Sequence, residues 1–414
     1  MEFGVFAQLF VPQSERDSDP LAEHRRILRN VEVAKAADAS AFKYVWCPQH
    51  HFLHEYSHMP GPEAFLAFCA AQTERVHLGS AIFNITPPVN KPQRVAENVA
   101  LLDHLTNNRF EFGTGRGSSS TEVLGFDIPS VDDTKAMWRE AIREIPKMWR
   151  EGTYSYEGEH FRMPERQVFP KPHGALHPAM WVAAGSPGTF TEAGEMGLGA
   201  FCFSLGRPQQ MAPLVTNYKN AIGGATPVGQ YANDNIMGVT NMLCMEDRKK
   251  AFEVAANMGM NYYSTLAYHW LDNVPRPKHL PEWPAKIPEP TPEQVEQLSA
   301  DGYCVIGDPD DCARSVQAWA DQGFDQLTFS PTTNTLPTEV VVGSMELFGR
   351  EVIPQFDRDP EHSTSGEAAL LTMGTAGPAG PPGGCRGSVG TCDRAEHVQH
   401  GRCLGDGGRR RPGP

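Results

Sequence analysis

Three short stretches hold the side chains that can do chemistry. The first is His50-His51 in PQHHF, directly after the apolar run Tyr44 to Cys47. Imidazole titrates near neutral pH without help, so a histidine leaving a strand end can move a proton or hold a polarised oxygen. Adjacent residues leaving a strand point to opposite sides, so one of the two faces a site; equally, both can be loop or core histidines. The second stretch is FGTGRGSSSTE, Phe112 to Glu122. Its glycines permit close backbone approach, Arg116 presents a fork of donors and three serines add hydroxyls, a set suited to a phosphate and also to an ordinary turn. It has neither the Gly-Lys-Ser/Thr of a Walker loop nor a complete dinucleotide fingerprint. The third is AAGSPGTF, Ala183 to Phe190, where Ser186 and Thr189 stand at a helix start, either as caps or as hydroxyls that join free amides around an anion. Metal ligation is not expected, because no matching His, Asp and Glu pattern appears at the other strand ends.

Such stretches act together only if a scaffold gathers strand ends. Residues 1 to 356 supply one, alternating short apolar runs with helical patterns: strands at Phe3 to Phe10, Tyr44 to Cys47, Val76 to Phe83, Arg109 to Phe112, Met180 to Ala183, Ala200 to Ser204, Gly238 to Cys244 and Gln326 to Phe329. Eight alternations predict an α/β fold, a closed (β/α)8 TIM barrel, with its active site where the strands end; a doubly wound open sheet is the alternative. GTYSYEGEHFRM reads as a hairpin excursion. Trp270 to Pro292 carries seven prolines and is expected to be a long inserted loop before the last strand, a mobile lid with Tyr268, His269 and Trp270 at its edge either as substrate contacts or as packing for the insertion. The last unit restarts at Gly307, with Asp308 as helix cap and Pro309 at the first helical position.

From Asp357 to Pro414 the composition changes. Thirteen Gly and six Pro stand among these 58 residues, and Phe, Trp, Tyr, Ile and Lys are absent. Such a segment cannot bury enough apolar surface to offset its ordering entropy, which predicts a barrel over 1–356 and a disordered Gly/Pro/Arg-rich tail over 357–414. Over the whole chain, 40% hydrophobic residues support a sizeable core, while 36 Lys+Arg against 50 Asp+Glu give a formal charge of −14, which disfavours nucleic acid and anionic membrane as partners. No apolar run reaches membrane-spanning length, the N-terminus reads as a strand without a secretory signal, and six scattered cysteines read as buried thiols, so cytoplasmic residence is expected.

In the order FGVF, VWCPQHHF, HLGSAIF, RVAENVALLDHLTNNRFEFGTGRG, VAAGSPGTFTEAGEMGLGA, GDPDDCARSVQAWADQGFDQLTFS and SMELFGREVIPQF, the segments resemble bacterial luciferase and the luciferase-like flavin monooxygenases. The resemblance implies a two-component monooxygenase: reduced FMN from a separate NAD(P)H-dependent flavin reductase, O2 activated as a flavin C4a-hydroperoxide, a small organic substrate, and a homodimer. Residue by residue, it places His50 at the catalytic histidine, Arg116, Ser186 and Thr189 at the phosphate, Glu122 at an acidic position beside the same site, and Ala81-Ile82 under the flavin, where the family often has a non-proline cis peptide. Gln49 stands where luciferase has Glu, Gly115 where it has a reactive cysteine, and Gly185 where it has an acid; light emission from a long-chain aldehyde is therefore not expected. A deazaflavin-dependent hydride-transfer enzyme and a non-catalytic flavin-binding homologue are the competing readings.

Overall fold

The computed structural model describes residues 1–54, 56–203, 206–258, 288–330 and 336–365. Eight parallel strands close into a barrel: β1 (Glu2–Phe6), β2 (Tyr44–Cys47), β3 (His77–Ser80), β4 (Phe110–Gly115), β5 (Ala179–Ala184), β6 (Gly199–Cys202), β7 (Ile236–Cys244) and β8 (Gln326–Ser330). Each pairs with the next, and β1 returns to β8 with Phe3 opposite Leu327. The closed barrel removes the open-sheet alternative.

Period-two alternation sends every second strand residue inside. Phe6, Tyr44, Trp46, Trp181, Phe201, Met237 and Val239 form one cluster in the lumen, while a larger cluster packs the strands' outer faces against the helices. Two indoles fit in so narrow a barrel because glycines face them: a Cβ at Gly79 would lie 2.2 Å from the Trp46 ring, and one at Gly199 would lie 2.4 Å from Trp181. Trp181 and Phe201 stack with centroids 5.1 Å apart and Trp46 meets both edge-on, giving the lumen an aromatic floor.

Below that floor the lumen is polar. Trp181 Nε1 donates to Glu111 (2.8 Å), Trp46 Nε1 to Gln326 (2.7 Å), and His77 Nδ1 pairs with Glu111 at 2.7 Å. Residues 357–365, expected at the start of a disordered tail, close this end. Thr364 is buried and donates to Glu111, Ser363 bonds Glu2, and Asp357 lies 3.1 Å from the buried Lys43 ammonium. The expected boundary at residue 356 thus falls inside packed structure. Short polar side chains satisfy a buried network as well as apolar ones fill a core, and composition does not reveal that. Residues 366–414, and the expectation of disorder for them, lie outside the described residues.

The outer elements follow the sequence cues. Asp308 caps the helix Pro309–Ala320 by accepting from Asp311 N at 2.9 Å, and Tyr154–Glu157 pairs with Arg162–Arg166 as an antiparallel hairpin. The expected insertion is shorter at its end, because Thr291 caps a helix that Pro292 opens. A further strand, Val305–Gly307, pairs with β7. Residues 259–287, including Tyr268, His269 and Trp270, lie outside the described residues. Cys47, Cys69, Cys202, Cys244, Cys304 and Cys312 are buried free thiols.

Candidate active site

The expected residues stand at the C-terminal ends of β2 to β5. His50 follows β2, where its amide bonds Met59 O and its ring meets Tyr56 edge-on at 4.7 Å. Its Nδ1 lies 3.0 Å from Glu122 Oε1. Glu122 is in the first turn of the helix Ser120–Leu124, which Ser119 caps. The carboxylate is buried and surrounded by donors: His51 N on Oε1, and Ser118 N with the Ser118 and Ser119 hydroxyls on Oε2. Burial opposes its ionisation, but His50 and these donors outweigh it and hold the carboxyl below its usual range. An ionised acceptor there requires His50 to carry its proton on Nδ1.

Glu122, expected beside the phosphate site, has both carboxylate oxygens engaged by protein donors, one of them His50. The signal was present in Ser119-x-x-Glu122, a capping-box pattern that fixes the acid over the turn.

His51 points elsewhere. Its ring meets Phe126 edge-on at 4.8 Å, and its Nε2 lies 3.0 Å from Gln49 Nε2. Gln49 Oε1 accepts from Asn84 N at 2.9 Å, and that fixes the amide orientation, so Gln49 Nε2 is a donor and His51 Nε2 an acceptor. His51 is then the neutral Nδ1–H tautomer, in keeping with the burial that lowers its basicity. Gln49 was read only as a departure from luciferase; here it ties the loop after β2 to the one after β3.

The peptide Ala81–Ile82 is cis, at the position where the resemblance implies such a bond. Ile82 lies against β4, and a Cβ at Gly115 would come within 2.6 Å of its Cγ1. The glycine at a position where luciferase has cysteine is therefore matched to the bulky Ile82.

On the neighbouring strand end, Ser186 Oγ and Thr189 Oγ1 are 2.9 Å apart and exposed at the start of the helix Pro187–Glu195. Ser186 makes no side-chain cap, and an added Cβ at Gly185 or Gly188 would meet nothing within 4 Å. Two hydroxyls, open backbone and a helix N-terminus make a cradle of the kind phosphates take. Arg116 follows β4 directly, and the ladder to β5 is observed as far as Thr114 opposite Val182. Arg116 Nη1 donates to Val131 O and to Thr134 Oγ1, both at 2.9 Å, and no hydrogen bond joins it to Ser186 or Thr189 among the described residues. Burial lowers the guanidinium's basicity, with Asp132 opposing and Arg139 adding to the effect.

A cleft of about 260 Å³ lined by His77, Phe110, His177, Tyr231 and Thr364 opens at the barrel's other end. His177 there is engaged on both nitrogens, with Pro178 O and Gln230 N, so the cleft does not compete as a reaction site.

A family model described as luciferase-like monooxygenase matches residues 1–326. The chain belongs to that family. Among curated proteins, this luciferase-like protein is 25% identical over 393 residues to the oxygenase component of flavin-dependent trigonelline monooxygenase from Acinetobacter baylyi, covering 88% of this chain and 99% of that one. It is 28% identical over 307 residues to F420-dependent glucose-6-phosphate dehydrogenase from Kineococcus radiotolerans, covering 72% and 85%. Among solved structures it is similar to monooxygenase RslO1 from Streptomyces bottropensis, with a TM-score of 0.71 at 21% identity, covering 86% of this chain and 100% of that one. At that identity the likeness establishes the fold. Family members are flavin-dependent monooxygenases or F420-dependent oxidoreductases, so the luciferase-like chain is an enzyme of the oxidoreductase class. Among the described residues, no helix is long and apolar enough to cross a membrane, and no group of three His, Cys, Asp or Glu is placed to hold a metal.

Proposed function

We propose that the protein is the oxygenase component of a two-component monooxygenase, using reduced FMN from an NAD(P)H-dependent reductase and O2 to oxygenate a small organic substrate. The observation that carries the proposal is His50, oriented by Glu122 at the mouth of a barrel whose adjacent strand ends carry a phosphate cradle. The near-complete coverage of the trigonelline monooxygenase component supports the same reading.

The residues fit the cofactor. Ser186 and Thr189 take the phosphate with Arg116 from the turn after β4, and Ala81, Ile82 and Gly115 offer an apolar surface to a flat ring system. Bound reduced flavin supplies the two electrons and the oxygen chemistry that no side chain can supply. The protein's part is to bind, orient and exclude water. Phe6, Trp46, Trp181 and Phe201 close the lumen beneath the mouth, which dries the site. Glu122 holds the His50 ring in one orientation at the mouth, where the imidazole can assist proton transfer at a reacting oxygen.

A second reading rests on the F420-dependent relatives: the same cradle would hold a deazaflavin phosphate, and His50 would assist hydride transfer to or from substrate with no need for oxygen. Mixing the protein, loaded with reduced FMN, with oxygenated buffer and timing hydrogen peroxide release tests the first reading. Release delayed relative to free reduced FMN, and hastened again by His50→Ala, is expected; identical timing in all three samples would reject it.

A further inference from the structure

The upper lumen has two unlike walls. Toward β3, β4 and β5 it is formed by Ala81, Ile82, Gly115 and Ala183, small or apolar groups. On the opposite side, the same inward alternation continues from Phe6 to Gln8, from Val239 to Asn241 and from Thr328 to Ser330. Ala7 N still bonds Trp46 O, so the ladder of β1 extends to the residue before Gln8, and Asn241 is the register partner of Ser330. Three uncharged polar side chains therefore line one side of the mouth.

They are incompletely paired. Ser330 Oγ donates to Gln8 Oε1 at 2.5 Å. Gln8 is wholly buried, and its Nε2 has no hydrogen-bond partner among the described residues; the buried Oδ1 of Asn241 has none either. A buried carboxamide with an unmade bond costs about 1–3 kcal/mol, so a fold rarely keeps two facing one lumen without use. As oriented, Gln8 Nε2 offers a donor and Asn241 Oδ1 an acceptor. Neither can neutralise a charge, and a charged group brought against them would lose its hydration for little return.

We propose that Gln8 and Asn241 are the specificity-determining wall of the substrate pocket, and that the substrate is an uncharged molecule bearing a group that both accepts and donates a hydrogen bond, such as a primary amide or a hydroxyl. The group accepts from one carboxamide and donates to the other, while the hydrocarbon remainder lies on Phe6 and Phe203, whose rings sit 5.8 Å apart. This rests on the barrel mouth being the reaction site and holds for either cofactor.

Ligand-observed NMR on the full chain, with cyclohexanecarboxamide, cyclohexanecarboxylate and methylcyclohexane as probes, tests it. The carboxamide should bind about tenfold more tightly than either of the others, one to two hydrogen bonds' worth. Asn241→Leu and the near-isosteric Gln8→Met should each bring the carboxamide and methylcyclohexane affinities together. Wild-type protein that binds the three alike, or binds none, overturns the proposal without recourse to any variant; so does a preference that survives both substitutions. An anaerobic flavin titration on the same samples separates the two claims. If neither FMN nor F420 binds yet the amide preference holds, the cofactor reading fails and this wall stands.

Discussion

His362 lies flat on His77, with ring centroids 3.8 Å apart and planes inclined by 12°. The stack joins the segment after the last helix to the base of β3, amid Glu2, Lys43, Tyr44, Arg109 and Glu111. Burial pushes both imidazoles down to about 3, with each other's positive charge or nearby cations adding to the effect. Glu111 beneath them is pushed up to about 8, chiefly by burial. At neutral pH the His77–Glu111 contact is therefore best described as one proton shared between neutral groups.

The sign of the pH effect follows. In the unfolded chain these histidines bind protons below about 6.5, whereas in the fold they stay neutral down to about 3, so their contribution is lost as pH falls through that window. Glu111 acts oppositely, its folded-state proton favouring the fold at lower pH. His362→Asn should therefore lose less Tm than wild type between pH 7 and pH 5, by differential scanning fluorimetry. Parallel curves would remove the stack from the pH response.

Truncation distinguishes the two parts of the C-terminal segment. Ending the chain after Ser365 should leave Tm and flavin binding unchanged, since the residues beyond have the composition of a tail. Ending it after Phe356 removes Asp357, Ser363 and Thr364 from buried Lys43, Glu2 and Glu111, and should cost about 2–5 kcal/mol in urea unfolding. Equal stability of the two shortened chains would show that the seal contributes nothing.

Gly115→Ala tests the packing under the mouth. The new methyl would meet Ile82 at 2.6 Å and should destabilise by about 1–3 kcal/mol, as overpacking does. Combining it with Ile82→Ala should recover part of the loss; an additive double variant would mean the two side chains do not compete for space.

Glu122→Gln keeps the size of the acid and removes its charge. Flavin affinity should change by less than about threefold, whereas turnover should fall at least about tenfold, because His50 is no longer held as the Nδ1–H tautomer. A large loss of flavin affinity with turnover per bound flavin intact would return Glu122 to the phosphate site.

Much of this was legible beforehand, for identifiable reasons. Short apolar runs alternating with helical patterns announced the eight strands, and the cap at Asp308 was visible as a residue type. Ser186 and Thr189 were paired by being three apart at a helix start. What escaped was contact across distance. Nothing in Thr364 marks it as a partner of Glu111, 253 residues earlier, and Gln8 reaches Ser330 only because the barrel closes. Polar residues buried by long-range pairing look, in sequence, like residues left in solvent.

The central claim is that this barrel takes reduced FMN, through the cradle after β4 and β5, and not a deazaflavin. An anaerobic titration of the full chain with reduced FMN and, separately, reduced F420 tests it most directly. Reduced FMN should bind the more tightly, and both Arg116→Ala and the double substitution Ser186→Ala, Thr189→Val should weaken it by about ten- to a hundredfold, the range expected for charge-assisted bonds of about 1.5–3 kcal/mol. Tighter binding of F420, or FMN affinity indifferent to both variants, would contradict the account.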